Sequence, residues 1–273
     1  MIMESERLGT DVEEMIDAAS AEADDGLLVV DPSPETVVSI IEAGSKGDGL
    51  PATSVLADRR ALKGVMDDFL IASKAADLID AGALTLRIQS NDAENSLFIS
   101  TERVLALVGT DGGLTALASD DDDFVSEVSR TYHGAFEDAA EYPLRTPPLT
   151  RVRETMAAEL GEATRDDFDR MLGSLGTVGG NGDGLDEVTA SLLVAAKNDV
   201  LLYDVSKWGE DVGIASKATF SRTKTRLEDL GLIDTEKVPI DVGRPRLRLK
   251  IGDERLIGLD AGELATNAAE LLD

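Results

Sequence analysis

Between Leu185 and Ile251 the chain reads as helix, helix, helix, hairpin, and few folds accept that order in so short a stretch. "LDEVTASLLVAAKN" and "YDVSKWGEDVG" repeat apolar residues at spacings of three and four, the signature of a helix with one buried face. Gly213 predicts a tight turn after the second helix. Ser216 predicts the N-cap of a third over 217–230, stopped at Gly231. "LIDTEKVPI" and "RPRLRLKI" alternate as strands do and are joined through "DVGR". Two helices across a short turn, followed by a β-wing, outline a winged helix-turn-helix.

The third helix sorts its residues by chemistry. Phe220, Thr223, Leu227 and Leu230 fall on one side, which predicts burial against the first two helices. Ala218, Ser221, Arg222 and Thr225 fall on the opposite side, with Lys217, Lys224 and Arg226 on the flanks. A helix entering a major groove needs small or hydroxyl residues for close approach, a bidentate arginine for a guanine edge, and bases for phosphates. In the wing Arg244, Arg246, Arg248 and Lys250 recur at every second residue and so share a face, with Arg244 and Arg246 placed to reach a phosphate or the minor groove. The candidate DNA-binding residues are therefore Lys217, Ala218, Ser221, Arg222, Lys224, Thr225, Arg226, Arg244 and Arg246, and the expected partner is double-stranded DNA.

That reading has to survive a formal charge of −28. Residues 1–150 hold 10 basic and 30 acidic residues, but residues 185–250 hold 11 of each. Within 214–251 there are 9 bases against 5 acids. The acidity belongs to the rest of the surface. Abundant aspartate with few lysines is the composition expected of proteins kept soluble in molar salt, so the total charge says little about partners. No run approaches the roughly 18 apolar residues of a membrane helix, and "MIMESERLGTDVEEM" places acids where a signal peptide has bases. With no cysteine in the chain, the expected compartment is the cytoplasm, and thiolate chemistry and zinc–thiolate sites are excluded.

Upstream, strand and helix patterns alternate. "DVEEMIDAASAEA" predicts a helix, "GLLVVD" a buried strand, and "SPETVVSIIEAG" a helix capped by Ser33 and stopped at Gly44. "TSVLAD" predicts a second strand, and 59–82 one long helix with Gly64 as its point of interruption. "LTLRIQ", "SLFIS", "RVLALVG" and "LTALAS" predict strands, the last two joined by "TDGG", and "DDDFVSEVSRTYHGAFEDAAEY" a closing helix. The expected fold class is α/β (or α+β) for an N-terminal domain with a mixed sheet, plus a C-terminal winged helix-turn-helix. The divisions expected are a sensor or dimerisation domain over 1–145, a helical connector and Gly-rich linker over 146–184, the winged helix over 185–251, and a C-terminal helix over 252–273. In the connector, Thr164 and Asp167 suggest a capping box, and "GTVGGNGDG" a flexible boundary. A homodimer is expected because such modules read paired half-sites. The connector (149–175) and the final helix (260–272) are its candidate contacts by apolar periodicity.

Three stretches, "KWGEDVGIASKATFSRTKTRLEDLGLIDTEKVPIDVGRPRLRLK" (207–250), "VMDDFLIASKAADLIDAG" (65–82) and "LRTPPLTRVRETM" (144–156), resemble the TbsP-type transcriptional regulators of halophilic archaea. The resemblance covers most of the chain and is most specific over the helix-turn-helix. It implies a cytoplasmic, sequence-specific regulator linked to genes of central carbon metabolism.

Other candidates carry less. Asp31, Ser33, Asp58, Arg59, Arg60 and Lys63 sit where open α/β sheets bind ligands, at predicted strand carboxyl ends, and would suit a small anionic metabolite. Pairing of those bases with nearby acids is the simpler explanation. "DDDD" (120–123) reads as an acidic helix start, "GGNGDGLD" as a single copy too poor in ligands for calcium, and His133 as a surface or half-buried residue. No dinucleotide fingerprint, phosphate loop or supported Ser/His/Asp set is present, so no catalytic residue, metal or cofactor is expected. Two competitors stand beside a DNA-binding regulator. One is an adaptor whose winged helix binds protein; the other is a metabolite-processing α/β domain with a DNA-binding appendage.

Overall fold

Leu27, Leu28, Val29 and Val30 are all buried, so the first strand has to lie inside a sheet covered on both faces. The computed structural model describes residues 16, 26–46, 50–89, 95–110, 113–175, 185–239 and 245–272. The expected helix over 11–23 (apart from Ile16), the "GTVGGNGDG" linker, the "DVGR" turn and the middle of "TDGG" lie outside them. The chain divides into two compact units, Met1–Leu144 and Arg145–Asp273.

Unit one is a seven-stranded mixed sheet in the order β6-β5-β4-β1-β2-β3-β7. β1 (Leu27–Val30), β2 (Thr53–Ala57) and β3 (Leu84–Ile88) run parallel, as βαβ connections through helices require. β4 (Ser96–Ile99), β5 (Val104–Thr110) and β6 (Gly113–Ser119) form an antiparallel meander that joins β1 through β4. Helices α1 (Pro34–Lys46), α2 (Arg59–Met66) and α3 (Phe69–Asp80) cover one face, where Val37, Ile40, Leu62, Ile71 and Ala75 meet Leu27, Val29, Val55 and Leu86. α4 (Asp122–Asp138) covers the other through Val125, Val128, Tyr132 and Phe136, against Leu28, Val30, Leu97 and Ile99. Mixed α/β architecture is thus what the chain adopts.

Several local expectations are corrected. Gly44 does not stop α1, which runs through it to Lys46; a Cβ there would sit 3.0 Å from Leu78, so glycine lets α1 and α3 approach. The 59–82 helix breaks at Asp67 and Asp68, not Gly64, because the Asp68 carboxylate accepts the Ile71 N–H at 3.0 Å and starts a new helix. α4 ends at Asp138, and Ala140–Glu141 form β7 against β3. The cause is Arg87 of β3, whose guanidinium donates to the Phe136 and Glu137 carbonyls at 2.7 Å each and lies 4.7 Å from the Phe136 ring centroid.

Unit two holds α5 (Leu149–Leu160), α6 (Glu162–Leu175), α7 (Glu187–Lys197), α8 (Leu202–Val212), α9 (Lys217–Asp229), the hairpin β8 (Ile233–Val238) with β9 (Arg246–Ile251), and α10 (Ala261–Leu272). The connector helices belong to the same body as the winged helix, so the boundary falls at Leu144. α6 begins directly at Glu162, after Gly161 turns the chain at φ 99°. Thr164 and Asp167 are therefore not a capping box. The Thr164 hydroxyl is buried and donates to the Leu160 carbonyl at 3.0 Å, and the Asp167 carboxylate accepts from Arg170 at 3.0 Å and from Asn198 at 2.9 Å, pinning α6 to the end of α7. The apolar faces of the connector and final helices are buried inside this unit: Val152, Met156, Phe168 and Met171 on one side, Leu264, Ala265 and Ala268 on the other. Asp260 and Glu263 do cap α10 reciprocally, at 2.9 and 3.2 Å. Among the described residues no helix is long and apolar enough to cross a membrane.

Candidate nucleic-acid interface

α7 is the pillar of the second unit, with every residue from Val188 to Ala196 buried. α8 and α9 lean on it across a turn made by Gly213, which sits in the left-handed region at φ 97° and ψ 18°. The Gly209 carbonyl accepts from the N–H groups of Gly213, Ile214 and Ala215 at 3.2, 2.8 and 3.3 Å, closing the turn. The Ser216 hydroxyl then accepts the Thr219 N–H at 3.2 Å and starts α9. Phe220 reaches back over Gly209, where any side chain would overlap its ring. The two helices cross at the one position of α8 that has no side chain.

Burial separates the two sides of α9. Phe220 and Leu227 are fully buried, each contributing about 1.5–3 kcal/mol to the module. Ala218, Ser221, Arg222 and Thr225 are all exposed. One apolar expectation fails: Leu230 is the C-cap of α9 and 49 % exposed, and the buried Leu232, just before β8, and Ile233, its first residue, close the core in its place. On the exposed side Arg222 donates to the Thr219 hydroxyl at 3.3 Å, leaving most of its fork available. Thr225 donates to the Ser221 carbonyl at 3.1 Å, which leaves its oxygen able to accept.

The flanking bases differ from one another. Lys217 pairs with Glu210 of α8 at 2.6 Å, and this hydrogen bond holds the Glu210 carboxyl below its ordinary range and pushes the Lys217 ammonium up. Lys224 is half-buried and bound to Glu228 at 2.6 Å, and Glu228 also accepts from Thr235 of β8 at 2.9 Å. Glu228 thereby joins α9 to the wing, and Lys224 pairs with it from within α9. Arg226 is exposed near the end of α9.

The wing bases also have acids. The Arg246 guanidinium lies 4.4 Å from the Tyr203 ring centroid and 3.4 Å from the Asp204 carboxylate, both at the start of α8. Arg248 lies 3.8 Å from Glu236, and Lys250 2.7 Å from Asp199. Arg244 lies outside the described residues. Leu249 donates its N–H to the Val200 carbonyl at 2.9 Å and Leu201 bridges Arg248, so the hairpin is anchored on the segment between α7 and α8. Tyr203, 49 % exposed beside Arg246, was not singled out by sequence, where it reads only as an early residue of a helix.

In unit one the second candidate set gathers at the carboxyl ends of β1 and β2. Asp31, at φ 46°, donates its N–H to the Leu56 carbonyl at 2.8 Å, which sets it beside the β2 exit. Asp58 already occupies the start of α2, accepting from the N–H groups of Arg60 and Ala61 at 2.7 and 3.2 Å. Ser33 likewise accepts the Thr36 N–H at 3.2 Å. Arg59, Arg60 and Lys63 point into solvent. Asp121 of the aspartate run caps α4 by accepting the Phe124 N–H at 3.0 Å, and His133 is exposed. Among the described residues no group of three or more histidine, aspartate or glutamate side chains is placed to hold a metal.

Residues 4–147 match the N-terminal domain described as transcriptional regulator TbsP-like, and residues 148–269 match the C-terminal helix-turn-helix domain of the same regulators. The chain belongs to the TbsP-like transcriptional regulators. The TbsP-like helix-turn-helix region thus takes in the connector helices and α10 as well as the winged helix, as does the compact second unit. No curated protein matches the chain. Among solved structures, it is similar to TrmBL2, an archaeal chromatin protein whose structure shows a novel mode of DNA binding, at 20% identity and a TM-score of 0.36 over 50% of this chain. The match spans about half of that protein, 52%. It is also similar to Nuc, a phospholipase D family member from Salmonella typhimurium, at 13% identity and a TM-score of 0.35 over 47% of this chain and 88% of that one.

Proposed function

We propose that this TbsP-like chain is a cytoplasmic, sequence-specific regulator of central carbon metabolism genes in a halophilic archaeon, acting on double-stranded DNA as a homodimer. The observation that carries base reading is the two-sidedness of α9: Phe220 and Leu227 are fully buried, and Ala218, Ser221, Arg222 and Thr225 face solvent. Such a helix presents small, hydroxyl and guanidinium groups to a groove while its back holds it to α7 and α8. Arg222 is assigned to a base edge. Lys217, Arg226, Arg244 and Arg246 are assigned to phosphates, with Lys224 pairing Glu228, which links α9 to β8. Asp31, Ser33, Asp58, Arg59, Arg60 and Lys63 are the proposed site of a small anionic effector, supported by their place just beyond the adjacent carboxyl ends of the parallel strands β1 and β2. Selection of binding sequences from a random pool in molar KCl, followed by genome-wide mapping of a tagged chain, tests the reading. Enrichment of one motif upstream of carbon-metabolism genes supports it; a pool that stays random removes base reading.

One observation favours an adaptor in place of a DNA reader: Arg246, Arg248 and Lys250 each already hold a carboxylate. Capture of a protein by a winged helix that fails to shift any DNA would decide for that reading.

A further inference from the structure

The two edges of the seven-stranded sheet are finished differently. β7 at one end has two residues. β6 at the other has seven, Gly113–Ser119, and pairs on one side only, with β5; among the described residues no strand occupies its other side. Its sequence, GLTALAS, has neither charge nor proline, and neither does that of β5, VLALVGT. Soluble proteins ordinarily shorten, charge or interrupt such an edge, because its row of N–H and C=O groups is a template for another strand. The flat side beside it is apolar too. Val108 opposes Thr115 and Leu117 opposes Ala106, so these four side chains share one face. The cluster under α4 takes in Val104 and Ala106 but leaves Val108 and Leu117 43 % and 39 % exposed.

We propose that β6 is the self-association edge, with two copies pairing β6 against β6, antiparallel about a twofold axis, to make one sheet across the dimer. The inference rests on the homodimer reading above and supplies its surface. A second copy fits for three reasons. A strand paired antiparallel with itself is isologous, so the outward N–H groups of each copy meet the outward C=O groups of the other. Two chains of charge −28 repel over most of their surface, and a meeting surface without charges is where they can approach. The apolar faces of α5, α6 and α10 are already buried within their own unit. Asp120 to Asp123, immediately after β6, border the seam, so pairing strengthens as salt screens them.

Sedimentation of the full chain across a KCl series tests this. The wild type is expected to be a dimer whose association tightens with salt, and Leu117→Asp with Val108→Asp to be monomeric with an unchanged circular dichroism spectrum. The chain has no cysteine, so a second test needs no background removal. In a pairing centred on Ala116, Thr115 faces the partner copy's position 117, and oxidised Thr115→Cys with Leu117→Cys is expected to run as a covalent dimer. A wild-type dimer that survives the aspartates and gives no cross-link overturns the edge but not dimerisation. A wild type monomeric at every salt concentration overturns both, whereas loss of motif binding by an intact dimer counts against DNA reading alone.

Discussion

The indole N–H of Trp208 donates to the hydroxyl of Thr155 at 3.0 Å, with the tryptophan fully buried. This bond ties α5 to α8, so the helix before the sequence-evident winged helix is part of its core. Thr155→Val keeps the shape and removes the acceptor, and leaving the indole N–H unsatisfied costs about 1–3 kcal/mol. Trp208 is the only tryptophan, so its fluorescence in urea reports that loss directly. An unchanged midpoint would mean the bond contributes nothing net.

Arg222→Ala is expected to weaken binding to the selected motif by about 1–3 kcal/mol, roughly 5- to 150-fold, and binding to random DNA little. Fluorescence anisotropy on both duplexes at one salt concentration separates the two. Equal losses would make Arg222 a phosphate contact.

Lys224 and Arg226 differ in their surroundings, the first half-buried against Glu228 and the second exposed. Arg226→Gln should reduce the slope of log affinity against log salt by about 1 on every sequence. Lys224→Gln should instead lower the melting temperature, because it removes the α9 cation that pairs with Glu228, the carboxylate that accepts from Thr235 of β8. A Lys224 variant with unchanged melting and a shallower salt slope would reverse these roles.

Gly209→Ala places a methyl group in the Phe220 ring. Overpacking at this crossing should cost about 1–3 kcal/mol or more and reduce binding to specific and random DNA alike, since α9 shifts as a body. Thermal unfolding together with anisotropy on both duplexes reads the two effects.

Glu210→Gln frees Lys217 from its 2.6 Å partner at the start of α9. Affinity for any DNA should rise and the salt slope steepen by about 1. The pH sense follows from the lowered Glu210 pKa, caused first by the Lys217 side chain. The pair is fully formed above the ordinary glutamate range and is lost as pH falls through the lowered folded value, so wild-type affinity should approach that of the variant only in acid. Titration of anisotropy against pH for both proteins checks it.

Much of the fold was legible because periodicity reports burial: "GLLVVD" and "TSVLAD" are strands, and Phe220 and Leu227 do face the core. What escaped was decided by partners distant in sequence. Gly44 looks like a stop, but Leu78 makes it a close-packing residue. Thr164 and Asp167 look like a cap, but Asn198, 31 residues on, claims the carboxylate. Leu230 continues the helical stripe by angle, yet the chain leaves the helix there. In the candidate interface the basic residues could be named from their spacing. Their acid partners could not, because Glu210, Asp204 and Asp199 come into reach only through the packing of α8 and the wing.

Those wing pairs change how the regulator should meet salt. Each cation of β9 already keeps a tethered anion of its own, at Asp204, Glu236 or Asp199. On the contact proposed for Arg246, an arriving DNA phosphate would exchange with a carboxylate before it exchanges with bulk chloride. The wing works as a set of sockets occupied by internal plugs, and its grip on DNA should vary less between dilute and concentrated brine than its count of basic residues suggests.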